Sequence, residues 1–154
     1  MTWKVLLVPH DFSASANHAT ALARDEAKLH GAKLLLLHVI DLPAAYDAAS
    51  VVIPEATGAP ISVKDYAVTS AEKHLQDISA RLAKDGVSAT PFIRVGNPVD
   101  EINRFVTEEG CDLVVMGTHG RTGLQHLLVG SVAERVVRTS RVPVLTVRHP
   151  DHAK

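Results

Sequence analysis

The stretch Asp112-Leu113-Val114-Val115-Met116-Gly117-Thr118-His119-Gly120-Arg121-Thr122-Gly123 decides the fold. It opens as an apolar run of strand length and stops abruptly in glycines and hydroxyl residues. A strand that is apolar on consecutive residues is buried on both faces, as in a parallel sheet covered by helices. Four other runs share this character: Val5–Val8, Lys33–Val39, Val87–Val95 and Val144–Val147. Stretches with helical spacing of their apolar positions separate them, so the order reads β-α-β-α-β-α-β-α-β. This order predicts one doubly wound α/β domain with a parallel sheet and helices on both faces.

Punctuation supports four helices. The first runs from about Ser13, a suitable N-cap, to His30, with Gly31 just beyond its end. The second covers roughly Ser62 to Lys84, with Leu75, Ile78 and Leu82 on one face and Gly86 at the exit. The third is capped by Asn97, has Pro98 at its first position and stops at Gly110. The fourth starts at Ser131, where Ser131-Val132-Ala133-Glu134 matches a capping box. The stretch 41–60, rich in Ala and Pro, reads as an irregular loop long enough to be a functional flap.

The 154 residues carry 16 basic against 17 acidic side chains, a balance that argues against a dedicated nucleic-acid or anionic-membrane binder. The 46% hydrophobic content suffices for a core, yet no apolar run approaches the roughly 20 residues that span a bilayer. The N-terminus lacks the features of a signal peptide, and the single Cys111 cannot form an internal disulfide, so a reducing cytoplasm is expected. Nine histidines are present, but no two form a convincing i, i+4 metal pair on one helix.

Open parallel sheets bind ligands beyond the carboxyl ends of their strands, where the strand order reverses. Two such ends stand out: Val8-Pro9-His10-Asp11-Phe12-Ser13, and the glycine-rich stretch after Met116 that leads to Gly130-Ser131. Glycines at 117 and 120 can adopt positive φ and admit a close ligand, and a helix N-terminus at Gly130-Ser131 offers donors to an anion. His119 or Arg121 would add positive charge. Two readings stay open: a phosphate cradle, or a plain chain reversal with Ser131 occupied by its capping box. Asp11 likewise suits a base, ribose or metal contact, or a local cap for the first helix.

Taken together, Gly117-x-x-Gly120, nine residues, then Gly130-Ser131 resembles the nucleotide-binding motif of the universal stress protein family, ATP-binding subgroup. The resemblance covers the chain, from Val5-Leu6-Leu7-Val8-Pro9-x-Asp11-x-Ser13 through His38-Val39 to Gly130-Ser131-Val132-Ala133-Glu134 and Pro143-Val144-Leu145-Thr146-Val147. It implies a Rossmann-like five-stranded sheet of order 3-2-1-4-5, a family domain over residues 1–148 and a short tail at 149–154. It further implies ATP, with Mg²⁺ or Mn²⁺, in a cleft bordered by Pro9, His10 and Met116. Asp11 and the backbone at Val39 would meet adenine and ribose, while Gly117, His119 and Gly120 line the ribose-phosphate path. Gly130, Ser131 and Val132 would hold phosphate oxygens. Ala133 departs from members that carry a hydroxyl there, and His10 from those with a small or hydroxyl residue.

By the same resemblance the edge strand Val144–Val147 would pair with its mate in a homodimer. The function expected is an ATP-binding regulatory or signalling dimer of the stress response. The competing readings are a homodimeric interaction module that binds no nucleotide, and a slow ATP phosphohydrolase. Hydrolysis demands a positioned water and a base; no convincing base is evident, so an enzyme is not expected.

Overall fold

The computed structural model describes residues 1–46, 49–119 and 129–148. The chain runs β1 (Val5–Pro9), α1 (Ala14–His30), β2 (Lys33–Ile40), β3 (Val51–Val52), β4 (Ile61–Ser62), α2 (Val63–Lys84) and β5 (Ala89–Val95). It continues through α3 (Pro98–Glu108), β6 (Leu113–Gly117), α4 (Ser131–Thr139) and β7 (Val144–Val147). The five long strands form one parallel sheet of order β5-β2-β1-β6-β7. Counting long strands alone, that is the expected 3-2-1-4-5.

Alternation along the strands sorts the helices onto two faces. Leu6, Val8, Leu34, Leu36, Leu113 and Val115 point to one side, where they meet Ala19, Ala23 and Ala27 of α1 and Leu75, Ile78 and Leu82 of α2. Leu7, Leu35, Leu37, Val114 and Met116 point to the other, against Ile102, Phe105 and Val106 of α3 and Ala133 and Val136 of α4. Strands sandwiched this way are apolar at every position, which is why their sequence shows runs and no alternation. Each fully buried Leu or Val contributes about 1.5–3 kcal/mol against the cost of ordering the chain. Cys111 is part of the second core, and burial pushes its thiol up to about 11, so it is an inert packing residue.

The helix ends follow the expected chemistry at three places. Ser13 Oγ accepts from Ala16 N–H at 3.1 Å, and Gly31 closes α1 in the left-handed conformation at φ 64°. Ser62 Oγ accepts from Asp65 N–H, and Asn97 Oδ1 accepts from Val99 N–H and Asp100 N–H. At α4 the helix begins at Ser131, as expected, but the capping box does not form. The N-cap is Gly130, one residue earlier than expected, and no side chain caps the helix. Ser131 thus lies inside the first turn, where its hydroxyl is not aimed back at the N3 amide as a capping box requires. The stretch 41–60 is also more ordered than expected. Its Val51–Val52 pairs antiparallel with Ile61–Ser62 in a short hairpin leading into α2.

The role assigned to Gly117 changes as well. It ends β6 without a positive φ. A Cβ there would lie 2.7 Å from the Ser15 carbonyl carbon and 2.7 Å from Ser15 Oγ. The glycine is needed because the first turn of α1 crosses directly over the end of β6. Gly117→Ala is therefore expected to destabilise the fold by about 1–3 kcal/mol, the usual cost of overpacking. Urea denaturation with an unchanged m-value measures it; undiminished stability would mean that α1 moves aside freely.

Candidate functional site

The carboxyl ends of β1 and β6 lie side by side at the centre of the sheet, where the chain winds off in opposite directions. A cleft of about 480 Å³ opens beyond them. Pro9, His10, Asp11, Val39, Met116, Gly117, His119, Gly130, Ser131 and Val132 all border it. Gly120 and Arg121 lie outside the described residues, as does the tail at 149–154. Ten of the eleven residues picked from sequence thus converge on one cavity, and the eleventh is not described.

Hydrogen bonds join the loops around it. Thr118, only 2% exposed, donates its N–H to Val147 O and receives the N–H of Gly130 at its carbonyl. That second bond hangs the start of α4 on the end of β6. It also occupies the Gly130 amide, so the first amides of α4 available to a ligand are those of Ser131 and Val132. Ser13 Oγ donates to His119 O at 3.4 Å, tying the loop after β1 to the loop after β6. Thr118 Oγ1 and His119 Nδ1 are 2.9 Å apart.

The loop after β1 is locally constrained. Asp11 Oδ1 accepts from Ser13 N–H at 3.0 Å, the Asx-turn role weighed for it, and the residue still borders the cleft. Phe12 sits at φ 65°, a left-handed conformation uncommon for a bulky residue. Its ring lies against His10, His38 and His74, with centroids 5.4, 4.5 and 5.0 Å away. His38 Nδ1 donates to His10 O at 2.7 Å, and His10 N–H donates to Leu37 O. His10 itself is 2% exposed, and burial pulls its pKa down to about 4 against the opposing pull of Asp11. Its Nδ1 accepts from Phe12 N–H at 3.0 Å, which makes the neutral ring carry its proton on Nε2.

Sequence reasoning missed Asp41, Pro98 and Ile102, which also line the cleft. Asp41 is the first residue past β2 and was overlooked inside a stretch read as loop. Pro98 was assigned only a helix-starting duty, and Ile102 was not singled out at all. Applying the strand-end rule to every central strand would have found Asp41.

An open parallel α/β sheet with its cavity at the topological switch point defines the class: a doubly wound, Rossmann-like protein. The chain belongs to the universal stress protein family, whose profile matches residues 2–148. Universal stress protein MJ0577 of Methanocaldococcus jannaschii is 33% identical over 155 aligned positions, covering 95% of both chains. Its solved structure superposes with a TM-score of 0.82 over 97% of this chain and 98% of that one, at 32% identity. A universal stress protein of Thermus aquaticus is 32% identical, covering 95% of this chain and 99% of the relative. A universal stress protein solved in complex with cAMP gives a TM-score of 0.65 at 26% identity, covering 96% of this chain and 98% of that one.

The burial of His10 has a consequence for stability. Folded, the ring resists protonation down to about pH 4, whereas the unfolded chain takes up that proton near 6.5. Between these values the unfolded state binds more protons, so stability falls as pH drops through the window. The loss by pH 4 should be on the order of 3 kcal/mol. His10→Asn, whose Oδ1 can still accept from Phe12 N–H, should flatten the urea midpoint against pH across that window. Parallel profiles for the two proteins would exclude His10 as the group responsible.

Proposed function

We propose that this chain binds ATP in the switch-point cleft and acts as a cytoplasmic, nucleotide-responsive regulatory dimer. The observation that carries the reading is the uncapped start of α4. The other three helices commit their first amides to Ser13, Ser62 and Asn97. Among the described helices α4 alone begins at a glycine with no side-chain cap, and it does so on the cleft wall. Its unsatisfied amides and the positive end of its dipole suit a phosphate group.

In this reading Ser131 and Val132 donate main-chain N–H groups to phosphate oxygens, Ser131 adds its hydroxyl, and Gly130 permits the close approach. His119, Gly117 and Gly120 flank the ribose and phosphates. Asp11 and the backbone at Val39 meet ribose and adenine, with Pro9, His10 and Met116 as the walls of the base site. A neutral His10 suits a wall that faces an uncharged purine. Among the described residues no group of three His, Cys, Asp or Glu side chains is arranged to hold a metal. In this reading Mg²⁺ or Mn²⁺ arrives with the phosphates, which supply most of its protein-independent ligands. The cAMP complex of a relative supports an adenine nucleotide in this family. Binding, with at most weak hydrolysis, is the activity expected.

Ser131→Pro tests the cradle without unmaking the helix. Gly130 already has the extended conformation, φ −66° and ψ 154°, that a following proline requires, and proline is favoured at the first helical position. The variant should keep its thermal stability yet bind Mg·ATP about tenfold to a hundredfold more weakly by calorimetry. Full affinity in the folded variant would sink the α4 assignment, and no heat with wild type would favour the nucleotide-free interaction module.

The dimer reading rests on β7. The strand pairs only with β6 among the described residues, and Leu145 on it is 38% exposed. An open apolar edge invites a second copy. Sedimentation should give a dimer for wild type and a monomer for Leu145→Lys; a monomeric wild type would remove this part of the proposal.

A further inference from the structure

His10 borders two cavities. The second, about 470 Å³, lies on the α1–α2 face of the sheet and is bordered also by Phe12, Asn17, His74, Asp77, Arg81 and Lys84. None of Asn17, Arg81 and Lys84 touches the switch-point cleft. The geometry points to a small-oxyanion site here, for a carboxylate or phosphate group, with His10 Nε2–H as its buried donor and Arg81 and Lys84 as its cations.

The first support is an orphaned donor. His10 Nδ1 is committed to Phe12 N–H, so Nε2 carries the hydrogen, and it is buried without a hydrogen-bond partner. Buried polar atoms in native proteins nearly always have one. With Nδ1 turned to Phe12, Nε2 faces the opposite way. Asn17 approaches the ring from this second cavity, close enough to influence its protonation but short of hydrogen-bonding geometry. An oxygen placed between His10 and Asn17 would satisfy the donor.

The second support is charge. Arg81 makes no ion pair with any described residue, although Asp77 lies one helical turn away on α2, and Lys84 makes none either. Arg81 is close enough to His10 to oppose its protonation. Two cations against the single Asp77 carboxylate leave a net positive rim, and Asp77 disfavours bulky or highly charged anions. The Phe12 and His74 rings and Ile78 wall the remaining space. The site does not depend on nucleotide in the cleft.

The test is histidine side-chain NMR on the ¹⁵N-labelled full chain at neutral pH, titrated with inorganic phosphate and, separately, acetate. The His10 Nε2–H signal should shift saturably at millimolar concentration. Arg81→Glu should weaken that response about tenfold or more while leaving ATP affinity unchanged. A response to one anion alone identifies the group as phosphate or carboxylate, and either supports the site. Repeating the phosphate titration in Ser131→Pro removes the Ser131 amide and hydroxyl from the cleft and leaves the lining of the second cavity unchanged. Persistence of the shift supports the second cavity, and its loss assigns the anion to the cleft and overturns the proposal. So does an absent or non-saturating shift, or an equal response in Arg81→Glu.

Discussion

Everything around the cleft depends on a side chain that is missing. At Gly117 the backbone of β6 passes so close to the first turn of α1 that a single methyl group would collide with Ser15. That approach sets where Ser13 can reach His119 and where Thr118 can receive Gly130. Through Gly130 it sets the position of α4. A constraint usually credited to backbone freedom is here a packing constraint, and it would hold with no ligand present.

The same economy is visible in the helix termini. Three N-termini are satisfied internally by Ser or Asn, so their dipoles end in local hydrogen bonds. The fourth has a residue without a side chain at its cap and leaves its amides uncommitted. Such an end is only slightly less stable in the isolated helix, since glycine in place of a capping Ser or Asn costs about 0.3 kcal/mol. The α4 packing residues Ala133 and Val136 offset it by burial against the sheet. A histidine kept neutral by burial, His10, borders the same cleft beside Asp11.

Much of this was legible in the sequence. Apolar runs revealed strands buried on both faces, and Asn97-Pro98, Gly31 and Gly110 marked helix ends because each residue answers a local backbone need. Strand-end logic gathered Asp11, His119 and Ser131 from separate places in the chain, and the family resemblance added Val39. The errors came where local chemistry lost to tertiary contact. Ser131-x-x-Glu134 has the letters of a capping box, but Gly130, its amide bonded to Thr118 O, takes the cap position and puts Ser131 in the first turn. Gly117 suggested a turn because its neighbour across space, Ser15, is a hundred residues away in sequence. The left-handed Phe12 and the orphaned His10 Nε2 had no sequence signal, for both belong to a tertiary cluster in which the Phe12 ring meets His10, His38 and His74 from three elements.

The sheet order also sets a timetable for biosynthesis. In β1, Leu6 pairs on one side with Leu34 but on the other with Leu113. The first half of this strand's pairing can form early, whereas its second edge waits until most of the chain has left the ribosome. Until then a fully apolar strand has one open side, the condition under which nascent chains aggregate or recruit chaperones. The wait is also a loop-closure cost that makes non-local parallel sheets slow to fold. A cleft built between β1 and β6 is thus among the last features of this protein to come into being, and a truncated chain ending before β6 would have no such cleft.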